Sequence, residues 1–88
     1  MPNTIPFGKF QGTWKDQQDQ TIEVGESMGI LVVKYTSNGR GPFDGCSIYV
    51  KTGFISVNFT DDQPQGDGVL SEDNNTIYWS NGTQWYRQ

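Results

Sequence analysis

The stretch TIYWSNGTQWYRQ, residues 76–88, decides how this chain is read. Asn81-Gly82 stands between two aromatic runs and signals a hairpin with a type I′ turn, which needs positive φ at both central positions. On the first arm Ile77 and Trp79 share one face and Tyr78 takes the other. On the second arm Trp85 and Arg87 lie opposite Gln84 and Tyr86. Trp79 is expected in a core. Trp85 has two settings: cross-strand pairing can turn it inward beside Trp79, which puts Tyr86 outside, or it can face solvent.

The same pattern runs backward through the chain. Short β-like runs at 10–15, 20–25, 28–36, 47–51, 54–60, 68–71, 76–79 and 83–87 are separated by Gly, Asn, Asp, Ser and Pro clusters. In 54–60, Ile55, Val57 and Phe59 alternate with Ser56, Asn58 and Thr60, as in a half-buried strand. Ile30 to Val33 are apolar without alternation, which predicts a strand covered on both faces. A hairpin around Thr52-Gly53 joins the fourth and fifth runs. Residues 1–8 form an irregular arm, and 37–45 and 61–67 are polar loops. Helical periodicity is absent over any useful length. The expected fold is all-β: one domain over residues 1–88, a small antiparallel barrel or two-sheet sandwich of about eight short strands.

Composition supports one aromatic core. The chain has 88 residues, with three Trp, four Tyr and five Phe. Each large aromatic buries roughly 150–250 Å². Trp14 is expected in the core with Trp79. Tyr35, Tyr49, Tyr78 and Tyr86 are expected to be partly exposed, with wet hydroxyls. Phe43, inside the polar loop SNGRGPFDG, should plug one end of the barrel rather than stand bare.

Charge and missing residue types narrow the function. Net charge is −4, and the basic residues Lys9, Lys15, Lys34, Arg40, Lys51 and Arg87 form no run. Nucleic acid and anionic membrane are therefore poor partners. No run of about 20 apolar residues is present, and the N-terminus lacks the pattern of a secretory signal. The protein is expected in the cytoplasm, or released without a classical signal peptide. The chain has no histidine and one cysteine. That removes the usual general base, the usual nucleophilic triads and a structural zinc site. Cys46 reads as a small buried apolar residue. Asp44, Asp61, Asp62, Asp67, Glu72 and Asp73 fall in loops and turns, where a glycosidase pair would lack a deep cleft. Asp61, Asp62 and Asp67 match no calcium loop. No cofactor or metal is expected, and no catalysis.

What remains is recognition. A sugar site needs an aromatic plate and fixed polar groups around it. Asn38, Arg40, Asp44, Asn58, Asp62, Asn81, Trp85 and Arg87 are the candidate ligand contacts, drawn from loops and hairpin ends that would gather at one rim.

The run Ile77-x-Trp79-Ser80-Asn81-Gly82-x-x-Trp85-x-Arg87, with Gly12-x-Trp14 near the start, resembles small β-rich lectins of fungi and microbes, of the mushroom galactosyl-binding type. The likeness covers the first strand and the last quarter of the chain. It implies a sugar-binding β-barrel without enzymatic activity, often a homodimer, made without a classical signal. Trp79, Asn81, Trp85 and Arg87 are the positions that carry it. The Gly-x-Trp start also resembles avidin-like and lipocalin barrels, whose chains are longer and whose calyx is larger than 88 residues suggest. The alternative function is a protein-interaction module, such as a protease inhibitor presenting Arg40 or Phe43 from the 38–45 loop. Monomer and homodimer are both compatible with the sequence.

Overall fold

A computed structural model describes residues 9–49, 52–60 and 66–88. Eight strands follow one another: β1 (Gly12–Asp16), β2 (Thr21–Ser27), β3 (Ile30–Tyr35), β4 (Phe43–Tyr49), β5 (Gly53–Val57), β6 (Gly66–Leu70), β7 (Thr76–Trp79) and β8 (Gln84–Arg87). Each pairs antiparallel with the next, and β8 returns to β1, so the sheet closes into an up-and-down barrel. Closure leaves no sheet edge. The arm at 1–8, Lys51, Asp61 and Asp62 lie outside the described residues.

A closed barrel has one inside, so side chains sort by period two. Ile22, Val24 and Glu26 point in from β2, and Leu31, Val33 and Tyr35 from β3. Phe10, Trp14, Phe43, Ile55, Val57, Phe59, Leu70, Ile77, Trp79 and Trp85 complete the core. Burying each aliphatic member fully is worth roughly 1.5–3 kcal/mol. Room for the large rings comes from inward glycines. A Cβ on Gly66 would stand 2.8 Å from the Phe59 ring, and one on Gly53 would stand 3.0 Å from the rings of Phe10 and Tyr49.

Three expectations change for the same geometric reason. The run Ile30 to Val33 alternates after all, with Leu31 and Val33 buried and Ile30 and Val32 exposed. The wall is a single layer, and no second sheet or helix among the described residues covers its outside. Cys46 pairs with Ile30 on that outer surface and is exposed rather than buried. Tyr35 follows Leu31 and Val33 inward and is buried.

The turns also differ from expectation. Asn81 does not take positive φ; Gly82 does, at 92°. Gly82 N–H donates to the Trp79 carbonyl and Trp79 N–H to that of Thr83, both at 2.9 Å, giving a three-residue loop over 80–82. Register explains the change. A two-residue turn at Asn81-Gly82 would set Trp85 opposite Tyr78 and turn it out of the barrel. The observed pairing of Ile77 with Trp85 turns it in. Burying an indole is worth several kcal/mol by area, more than a turn preference of about 1 kcal/mol. The type I′ geometry appears instead at Met28 (φ 53°) and Gly29 (φ 83°), between Ser27 and Ile30.

Candidate functional site

The barrel has two unlike ends. Turns 17–20, 36–42 and 80–83 meet at the first. There five inward aromatics form a closed ring. Tyr35 contacts Phe43 edge-on with centroids 6.5 Å apart, Phe43 contacts Phe59 at 5.1 Å, and Phe59 contacts Trp79 at 6.0 Å. Trp79 meets Trp85 at 4.6 Å, and Trp85 returns to Tyr35 at 6.0 Å, edge to face. The ring exists because β3, β4, β7 and β8 each place an inward position near this end, while Phe59 continues the inward series Ile55, Val57 beyond β5.

Arg40 folds over this ring. Its guanidinium carbon stands 4.5 Å from the Tyr35 centroid, 5.4 Å from that of Phe43 and 5.9 Å from that of Phe59. A cation above several desolvated faces is held by their quadrupoles. The loop aims it there. Tyr35 N–H donates to the Arg40 carbonyl, and Arg40 N–H donates to Asn38 Oδ1. Asn38 Nδ2 then donates to Gln20 Oε1 at 3.0 Å, tying this loop to the first turn.

A cavity of about 510 Å³ opens at this end. Tyr35, Phe59, Trp79 and Trp85 contribute its aromatic lining, with Arg40 above. Asp16, Gln17, Gln18, Gln20, Ser80, Asn81 and Thr83 supply hydroxyl, carboxylate and amide groups. Trp79 is 7% exposed, and its indole N–H has no hydrogen-bond partner among the described residues. A buried unpaired donor costs about 1–3 kcal/mol.

The candidates from sequence distribute as follows. Arg40, Asn81 and Trp85 line the cavity, and Asn38 braces its rim. Trp85 is turned inward beside Trp79, and Tyr86 faces out. Asp44 and Asn58 sit at the same end on the exposed outer wall, joined by Asn58 N–H donating to the Asp44 carbonyl at 2.9 Å. Asp62 lies outside the described residues. Arg87 belongs to the opposite end, because β8 runs away from the Asn81 turn. There it donates to the carbonyls of Asn74 (2.8 Å), Gln11 (2.9 Å) and Lys9, and covers Trp14 at 4.3 Å. Burial lowers its pKa from the usual guanidinium value. Arg87 is a clamp on the chain before β1, not a rim residue. Phe43 is buried in β4, as a plug would be, and the Arg40 guanidinium lies over the rings of Tyr35, Phe43 and Phe59.

Sequence reasoning missed Tyr35, Phe59 and the glutamines of the first turn as cavity residues. The signal was present for the first two: each ends an alternating inward series at the same end of the barrel.

The opposite end is closed by a polar knot. Glu26 is buried and accepts from Phe10 N–H at 2.9 Å, from the Ser47 hydroxyl, and from Tyr49 O–H at 2.6 and 2.8 Å. Burial, and then the hydrogen bond to Glu26, raise the Tyr49 phenol well above its ordinary pKa. Trp14 Nε1–H donates to the Phe10 carbonyl at 2.8 Å. These contacts hold the chain at Lys9 to Gln11 across the barrel floor. Among the described residues no group of three or more Cys, Asp or Glu side chains is placed to hold a metal ion.

No family model, curated protein or solved structure matches the chain.

Proposed function

We propose that the protein is a carbohydrate-binding domain of the lectin kind, which takes a galactose-type sugar at the aromatic end of the barrel and does not turn it over. The observation that carries this reading is the ring of five aromatics with an unpartnered Trp79 indole N–H inside it. A sugar offers apolar C–H faces to rings and hydroxyl oxygens to donors. On this reading the indole edges and the Phe59 and Tyr35 rings take the C–H face, and the buried Trp79 Nε1–H takes a ring or hydroxyl oxygen of a sugar that enters deeply enough to reach it. Gln17, Gln18, Gln20 and Asn81 supply amides around it for the remaining hydroxyls. A volume of about 510 Å³ is within the usual range for small-molecule sites and suits one or two sugar rings. On this reading the contacts lie inside the barrel mouth.

A glycan array with galactose, lactose and mannose as free competitors tests the reading. Selective binding, erased by one free sugar and lost in Asn81→Ala combined with Gln20→Ala, is the expected outcome. A blank array at high protein concentration refutes it.

A further inference from the structure

The polarity of the amides at the cavity mouth is fixed by the backbone. Thr83 N–H donates to Asn81 Oδ1 at 2.9 Å, Gln84 N–H to Gln17 Oε1 at 3.2 Å and Arg40 N–H to Asn38 Oδ1 at 3.0 Å. A main-chain N–H only donates, so each of these side chains turns its carbonyl oxygen to the backbone. The third bond sets two more. Asn38 is left with Nδ2, which donates to Gln20 Oε1 at 3.0 Å, and Gln20 Nε2 donates in turn to Gln18 Oε1 at 3.0 Å. The relay ends on Gln18 Nε2.

The mouth therefore gives hydrogen bonds more readily than it takes them. Gln17, Gln18 and Asn81 each have the oxygen engaged, and their amide nitrogens have no partner among the described residues. Main-chain oxygens are engaged as well. The carbonyls of Tyr35, Arg40, Trp79 and Thr83 accept from the N–H groups of Gly39, Tyr35, Gly82 and Trp79. Deeper in, the Trp79 indole N–H is unpartnered. On the accepting side, Asp16 is the one carboxylate among the lining residues, and its Oδ1 already takes the N–H groups of Gln18 and Gln20 at 2.9 Å. The Ser80 and Thr83 hydroxyls bring a donor along with their acceptors.

We propose that the sugar taken at this end is O-methylated: a galactose-type ring with at least one hydroxyl capped as a methyl ether. This rests on the sugar reading above and names its substrate class. A free hydroxyl brings an O–H that needs an acceptor, and an O–H stranded in this cavity weakens binding. A methyl ether keeps an oxygen that accepts from the indole or amide N–H groups and has no O–H to strand. Its methyl group leaves water for the rings of Tyr35, Phe59, Trp79 and Trp85. An acidic sugar is also rich in acceptors, but its charge is disfavoured beside Asp16 on a chain of net charge −4. The ether is neutral.

Calorimetric titration of the full chain with methyl β-galactoside, each of its mono-O-methyl ethers and the matching deoxy sugars tests the inference. At least one ether should bind about tenfold more tightly than the parent galactoside, and more tightly than the deoxy sugar that lacks the same oxygen. Asn81→Asp and Gln17→Glu keep the oxygen that accepts from the backbone and replace the donor nitrogen with an acceptor. At least one of them should cut that preference to about threefold or less, with unchanged circular dichroism. Binding of the parent with no ether tighter overturns the inference and leaves the sugar reading standing. A deoxy sugar that matches the ether, or a preference that survives both substitutions, overturns it too. No binding by the parent or any ether overturns both readings.

Discussion

Removing the Glu26 carboxylate should be among the most damaging single changes available to this protein. Three donors converge on it: Phe10 N–H, the Ser47 hydroxyl and the Tyr49 hydroxyl. In Glu26→Ala the Tyr49 hydroxyl, which is only partly buried, can turn to water. Phe10 N–H and the Ser47 hydroxyl cannot do so readily. Each stranded buried donor costs about 1–3 kcal/mol, so the expected loss is about 4 kcal/mol. Domains of this kind have about 5–15 kcal/mol in all. Glu26→Gln keeps one acceptor oxygen, and the two hydroxyls can rotate to accept from its amide, so the loss should be about 1 kcal/mol. Urea titration followed by tryptophan emission measures both through the midpoint at constant slope. If Glu26→Ala and Glu26→Gln both lie within about 0.5 kcal/mol of wild type, Glu26 does not tie the floor of the barrel and the reasoning fails.

Two further outcomes follow from single residues. Tyr49 has a phenol whose pKa is raised in the fold, above the unfolded value of about 10. The unfolded state therefore loses this proton first, so the contribution to stability is complete below about pH 10 and declines as pH rises beyond it; urea midpoints should fall less steeply across that range in Tyr49→Phe than in wild type. Met28 holds φ 53° in the tight turn between β2 and β3; because Asn tolerates that region better, Met28→Asn should stabilise by about 0.5–1 kcal/mol, read as a higher Tm.

Much of the barrel was legible because period two is a local property. Ile55, Val57 and Phe59 declared an inward face, and Trp79 followed from Ile77. What failed were judgements that depend on what lies across a strand. The run Ile30 to Val33 looks doubly covered until closure leaves β3 with a bare outer side. Cys46 faces out because Phe43, Ser47 and Tyr49 set the opposite phase in β4. Asn81-Gly82 carries the right residues for a type I′ turn, yet the need to bury Trp85 imposes a three-residue loop. For the candidate site, Arg40, Asn81 and Trp85 could be named from residue type and loop position. Arg87 could not be separated from them, since only strand direction reveals that it ends at the other rim. Glu26 was invisible for a related reason: its partners Ser47 and Tyr49 come from β4, twenty-one and twenty-three positions away.

The central claim, that a sugar enters the aromatic end of the barrel, is tested most directly by the indole N–H resonances. The protein has three tryptophans. Trp14 Nε1–H is bonded to the Phe10 carbonyl at the closed end, which makes it an internal control. Trp79 Nε1–H has no partner among the described residues. Each peak is assigned by a Trp→Phe variant and followed while galactose or lactose is added. The account predicts a saturable downfield shift of the Trp79 indole proton, a smaller change at Trp85 and a stationary Trp14. A Trp79 resonance that stays in place at saturating sugar, or three peaks that drift together without saturation, would contradict it.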